Sequence, residues 1–122
     1  MPIINVQLYT EHRVGLQAAV AGIVQRNAAE YLHFDPAQTV VSARFAAPDD
    51  KWFFNLVELD RKHYPAFHVH ATIGNGTATD LDAVAFVGEC LRSIESLLAN
   101  QFPGSVAPGV PDRNKVTVVA MP

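Results

Sequence analysis

The chain is short of several features that mark out whole classes of protein. One cysteine in 122 residues leaves no internal disulfide, which excludes a disulfide-stapled secreted scaffold. No apolar run approaches the roughly eighteen residues of a membrane span. Positive charge is not in surplus: nine Lys and Arg stand against twelve Asp and Glu, for a formal net charge of −3 and a pI near 5.9. A nucleic-acid or acidic-membrane surface would need clustered basic residues instead. The start carries no basic n-region of a signal peptide, and no nucleotide fingerprint or phosphate loop occurs. These absences lead to an expectation of a cytoplasmic protein that acts without a cofactor and without nucleic acid or membrane as partner.

What is present is an ordinary globular composition, 49% hydrophobic and 17% charged. A chain of this length is most simply one domain, and it can bury roughly two-thirds of its unfolded surface. IINVQLY, residues 3–9, alternates Ile4, Val6 and Leu8 with Ile3, Asn5 and Gln7, which predicts a strand with one apolar face. Thr10 is a candidate cap for a helix running from Arg13 to Leu32, with Leu16, Val20, Ile23, Val24, Ala28 and Tyr31 at helical spacing. Asp35-Pro36 breaks it, and residues 39–47 alternate as a second strand. Residues 52–59 form an extended segment or half a hairpin.

AFHVHATI, residues 66–73, is another strand, turned by Gly74-Asn75-Gly76. Thr79 or Asp80 can cap a second helix whose inward stripe is expected at Leu81, Val84, Val87, Leu91, Ile94 and Leu97 or Leu98. It must stop near Phe102, before Pro103. A loop at 103–112 precedes a final strand at 114–121. The order β-α-β, link, β-α-β predicts an α+β fold with α/β-type repeats. Tandem β-α-β halves, about 1–50 and 64–122, form one domain, 1–122, with a four-stranded sheet and two helices on one face. The bare face carries Asn5, Gln7, Ser42, Arg44, His68, His70 and Thr72 beside Ile3 and Val40, a mixture that suits shielding by other subunits.

At this point particular residues carry a resemblance. Met1-Pro2-Ile3 opening an alternating strand, Thr10-Glu11-His12-Arg13 at the first helix start, Ser42-Ala43-Arg44 in the second strand, and AFHVHATIGNG before an amphipathic helix are together similar to the tautomerase superfamily. That superfamily includes 4-oxalocrotonate tautomerase and 5-carboxymethyl-2-hydroxymuconate isomerase. The isomerase has an arginine directly after its Ile-Gly-x-Gly turn, where this chain has Thr77. The resemblance implies a tautomerase/MIF-like fold and a homotrimer whose sheets line the centre, with active sites near subunit boundaries. It also implies a cofactor-free isomerase of aromatic catabolism, acting on a small carboxylate such as a 2-hydroxydienoic or 2-oxo acid. The alternative on the same fold is a non-catalytic trimeric binding module.

The chemistry follows from the residues. If Met1 is removed, as a small second residue favours, Pro2 becomes a rigidly held secondary amine. An α-amino group starts near about 7.7–8.0, close to the optimum for a general base at neutral pH. Apolar burial and a nearby Arg44 guanidinium would lower that value further. Otherwise Pro2 simply begins a strand, where its missing N–H is tolerated. Arg44 can hold a carboxylate bidentately, or instead join subunits by a salt bridge. Arg13 at a helix start suits a bound anion, or else is a solvated surface residue or a partner of Glu11. Trp52, or else Phe53, could wall the pocket and exclude water. His68 and His70 share a strand face, but no third ligand at suggestive spacing completes a catalytic zinc site, so no metal is expected. His12 and His33 read as surface residues at helix ends. Cys90 reads as a small buried thiol with no base beside it.

Overall fold

The first strand forms as its alternation predicts. In β1 (Ile3–Tyr9) Ile4, Val6 and Leu8 are buried while Ile3 and Asn5 are exposed. This computed structural model describes residues 2–106 and 112–121, so part of the loop expected at 103–112 lies outside the described residues. After β1 come α1 (Leu16–Tyr31), a 3-10 turn over Pro36–Gln38, β2 (Val40–Phe45), β3 (Phe53–Phe54) and β4 (Val57–Glu58). The second half supplies β5 (Ala66–Gly74), α2 (Asp80–Gln101) and β6 (Lys115–Met121).

The main sheet has the order β2-β1-β5-β6. Each helix joins a parallel pair, β1 with β2 and β5 with β6, as a crossover through a helix requires. The two halves meet through the antiparallel β1–β5 pairing at the centre. Both helices pack on one face, where Phe67, Val69, Ala71 and Ile73 of β5 join the β1 set in the main core. The bare face is the polar one that the alternation indicates.

Two details differ from expectation. Thr10 does not cap α1: it is buried and its hydroxyl donates to the Glu11 carbonyl at 2.8 Å. The helix starts three residues later than expected, at Leu16, behind Gly15 in a left-handed conformation with φ 84° and no side-chain cap. A residue with a Cβ rarely adopts that backbone. In α2 the buried line is Phe86, Cys90, Ile94 and Leu98, while Leu81 and Val84 are exposed. Phe86 has more apolar area to bury than Val84. The two lie about 200° apart around the helix, so burying one turns the other outward.

The start of α2 is closed by a capping box. The Thr79 hydroxyl accepts from the Asp82 backbone N–H at 3.1 Å, and the Asp82 carboxylate accepts from the Thr79 N–H at 3.0 Å. Thr79→Ala is expected to cost about 1 kcal/mol, lowering the melting midpoint by roughly 4 °C with Thr79→Ser restoring most of it. The Thr79 N–H holds the Asp82 carboxyl below its ordinary value. The stabilisation from that bond is therefore present above the unfolded carboxyl value and is lost as pH falls through the folded one.

The 46–66 segment covers one end of the bare sheet face. Strands β3 and β4 pair antiparallel around Asn55 and Leu56, both at positive φ, the two-residue turn that suits a twisted hairpin. Beneath it Tyr9, Ala46, Leu59 and Ala66 form a second small core with Trp52, Phe54 and Tyr64 packed against it. The Tyr9 hydroxyl donates to the Leu59 carbonyl at 2.9 Å. Among the described residues no helix is long and apolar enough to cross a membrane.

Candidate functional site

Pro2 is buried at the entrance to β1, and its carbonyl accepts from the Val40 N–H at 3.5 Å. Its missing N–H is tolerated because Pro2 stands just ahead of the first residue of β1. By strand alternation it shares the side of Ile4, the helix-covered face. It lines a cavity of about 370 Å³ with His33, Phe34, Asp35, Gln38, Gly74 and Thr77. This grouping follows from topology, because a parallel crossover returns the chain to the same end of the sheet. The residues just before β2 thus lie beside those just before β1.

The loop that builds the cavity is shaped by local chemistry. Helix α1 ends as His33 takes φ 62°, a left-handed stop that lets the chain double back, and the Phe34 N–H donates to the Ala28 carbonyl at 3.3 Å. Asp35 caps the 3-10 turn, its carboxylate accepting from the Ala37 N–H at 2.9 Å. The His33 Nε2 lies 3.5 Å from an Asp82 carboxylate oxygen, which ties the cavity wall to the start of α2. The Thr77 hydroxyl donates to the Gly74 carbonyl at 2.7 Å. His33 is exposed just past the end of α1, as expected of a helix-end surface residue, and from there it also lines this cavity.

The other expected site residues are elsewhere in the protomer. Arg44 stands opposite Gln7 in the β1–β2 register, four residues or about 13 Å along the strand from Val40. Its side chain is on the bare face, opposite to Pro2. Arg13 is exposed near the far end of β1, its guanidinium 4.9 Å from the centre of the Phe102 ring. Trp52 is sandwiched between Tyr9, at 4.9 Å, and His68, at 4.2 Å. Phe53 is exposed and lines a cavity of about 490 Å³ with Gln7, His68 and Lys115. One protomer therefore does not bring Arg44, Arg13, Trp52 or Phe53 to Pro2, and a shared pocket needs a second copy to supply them. Nor does the protomer place the Arg44 guanidinium where it could lower the basicity of the Pro2 amine.

The remaining titratable groups are placed as follows. Burial, reinforced by Lys115, pushes His68 below its ordinary value, and the His70 Nδ1 is 2.7 Å from the Thr117 hydroxyl. Among the described residues no three His, Cys, Asp or Glu side chains gather as a metal site would require. Cys90 is buried, its thiol pushed up to about 11 by burial, with the Asn27 amide at 3.5 Å from the sulfur. A thiol held that high is protonated at neutral pH and inert as a nucleophile. Arg61 closes the 46–50 turn by donating to the carbonyls of Ala46, Ala47 and Asp50, and it covers the Tyr9 ring at 4.5 Å.

No protein-family model matches the sequence, and no curated protein matches it. Solved structures do match the fold. The structure of Pt0534 inactivated by 2-oxo-3-pentynoate has a TM-score of 0.73 and 8% identity, covering 98% of this chain and 86% of its own. A fused 4-OT, described as a symmetric trimer, has a TM-score of 0.71 and 12% identity, covering 98% and 85%. A macrophage migration inhibitory factor-like protein from Entamoeba histolytica has a TM-score of 0.68 and 8% identity, covering 98% and 88%. The likeness drawn from the sequence to the tautomerase superfamily therefore holds at the level of the fold.

Proposed function

We propose that the chain is a cofactor-free tautomerase that moves a proton between enol oxygen and carbon of a small 2-hydroxydienoic or 2-oxo acid, with the Pro2 amine as the base. The observation that supports this reading most is the placement of Pro2. It is buried, fixed by the β1–β2 ladder, and set in the wall of a cavity large enough for such an acid. A processed N-terminus would there present a secondary amine whose ring restricts its motion, which favours a positioned proton transfer.

The cavity offers hydrogen-bonding groups from His33, Gln38 and Thr77 but no Arg or Lys of the same chain among its described lining residues. The cation for the substrate carboxylate comes from a neighbouring copy. Arg44 and Arg13 are both exposed, and of the two the Arg13 guanidinium already has the Phe102 ring against it, so Arg44 is the anchor for the carboxylate with Arg13 completing the pocket. Trimeric assembly of a fused 4-OT with this fold supports a homotrimer here. The test is the ketonisation of a 2-hydroxy-2,4-dienoate by untagged protein, followed by its ultraviolet absorbance. Turnover above the buffer rate supports the enzyme reading, and its absence across several enols favours the non-catalytic binding module, a reading to which the cation-free Pro2 cavity also lends weight.

A further inference from the structure

The sheet face turned away from the helices changes character along its strands. At the Pro2 end Val40, Ile3, Thr72 and Val119 stand in register across all four strands, and the three aliphatic side chains are exposed. At the other end the register sets Arg44, Gln7, His68 and Lys115 side by side. The row between them is Ser42, Asn5, His70 and Thr117, with no Lys, Arg, Asp or Glu. An apolar row gains from being covered by another copy, whereas a cationic row is repelled by its like.

His68 is the titratable member of the cationic row. It is half-buried, with the Trp52 ring stacked on it and the ring centroids 4.2 Å apart. Lys115 is its neighbour on β6 and Gln7 its neighbour on β1, with Arg44 next beyond Gln7. His70, two residues along β5, has its Nδ1 2.7 Å from the Thr117 hydroxyl. Asp112 and Arg113 share the adjoining cavity with His68, and Arg113 donates to the carbonyls of Pro65 and Val106. Burial first, and Lys115 second, hold His68 below its ordinary value. The Asp112 carboxylate and the Trp52 ring face each favour an imidazolium, and the net direction is still downward.

We propose that His68 makes the association of copies acid-sensitive: its protonation adds a third positive group to the row of each copy and drives the copies apart. This rests on the homotrimer proposed above, with the bare face turned toward the other copies. In a separated copy His68 keeps part of its contact with water, and a second copy over the face removes it. The assembled state therefore binds the proton less readily than the separated copies do. Association is at full strength above the ordinary histidine value of about 6.5. It is lost as pH falls through the lower value of the separated copy. Carboxylates, with ordinary values of about 4, stay charged over this range.

The experiment is sedimentation velocity of the full chain over a dilution series at about pH 8 and about pH 5, with Trp52 emission followed on the same samples. Trp52 is the one tryptophan of the chain, and a charged imidazole quenches an indole stacked on it, so the emission reports His68 directly. The parent should be trimeric at the higher pH. At the lower pH it should need about tenfold or more protein to stay so, the factor that a one-unit shift of a single histidine supplies. Quenching should set in over the same range. His68→Gln and His68→Asn, neutral at both pH values, should stay trimeric with steady emission, while His70→Gln should dissociate like the parent. Far-ultraviolet circular dichroism should be the same at both pH values, which separates dissociation from unfolding. A trimer equally strong at both pH values, or one lost equally in the His68 variants, overturns the inference and leaves the homotrimer standing. Loss of secondary structure at the lower pH in place of dissociation overturns it as well. A single copy already at the higher pH overturns the homotrimer and this inference with it.

Discussion

Pro2→Ala is expected to lower kcat for a 2-hydroxydienoate by about a hundredfold, the low end of what a positioned acid or base contributes. The figure is at the low end because alanine also permits removal of Met1 and so leaves an amine in place. What is lost is the ring that fixes it, and misplacement of a base is costly even when its basicity survives. The melting midpoint should barely move, since the Pro2 carbonyl that accepts from Val40 is a backbone group that alanine retains. Turnover unchanged with the fold intact would remove Pro2 from the mechanism. The assay is a steady-state rate on purified, processed protein beside its melting curve.

The largest structural effect is expected at Phe67. This ring is fully buried in the main core, on a central strand, with Leu8 opposite on β1. Its backbone N–H donates to the Asn114 side chain at 3.0 Å, which keeps β5 in place against the approach to β6. Phe67→Ala removes the ring from a site that strands on both sides prevent from collapsing. The expected cost is about 3–5 kcal/mol, against a total stability of about 5–15 kcal/mol for a typical domain. A fall of roughly 10 °C or more in the melting midpoint follows. A loss below about 1 kcal/mol in urea unfolding would mean that the core is not packed as described.

Strands β1, β2 and β5 were legible because each alternates cleanly. Ile4-Val6-Leu8 and Phe67-Val69-Ala71-Ile73 name their own buried faces, and the order of strands and helices then fixes the parallel pairs. The helix faces were less legible. The α2 stripe rests on a competition between Phe86 and Val84 for the core, and spacing does not rank areas. Thr10 had the right chemistry for a cap, yet the chain continues past it to Gly15 before turning. Pro2 was legible as a candidate base, and the structure buries it at the end of the sheet. The pocket around it was not legible. Arg44 and Pro2 are separated by strand parity as well as by distance, and that parity becomes a statement about faces only when the register is known. His33 reaches the cavity through a left-handed backbone that no periodicity announces.

The central claim is that Pro2 is a free, reactive amine in a substrate-sized cavity. It is tested most directly by treating untagged protein with 2-oxo-3-pentynoate, a ketone-activated alkyne open to addition by an amine, and weighing the intact chain and its N-terminal peptide. The account predicts a parent mass lacking methionine, then a single adduct on Pro2 with turnover falling in proportion. A mass that retains Met1, or an adduct formed elsewhere while Pro2 stays unmodified, would contradict it.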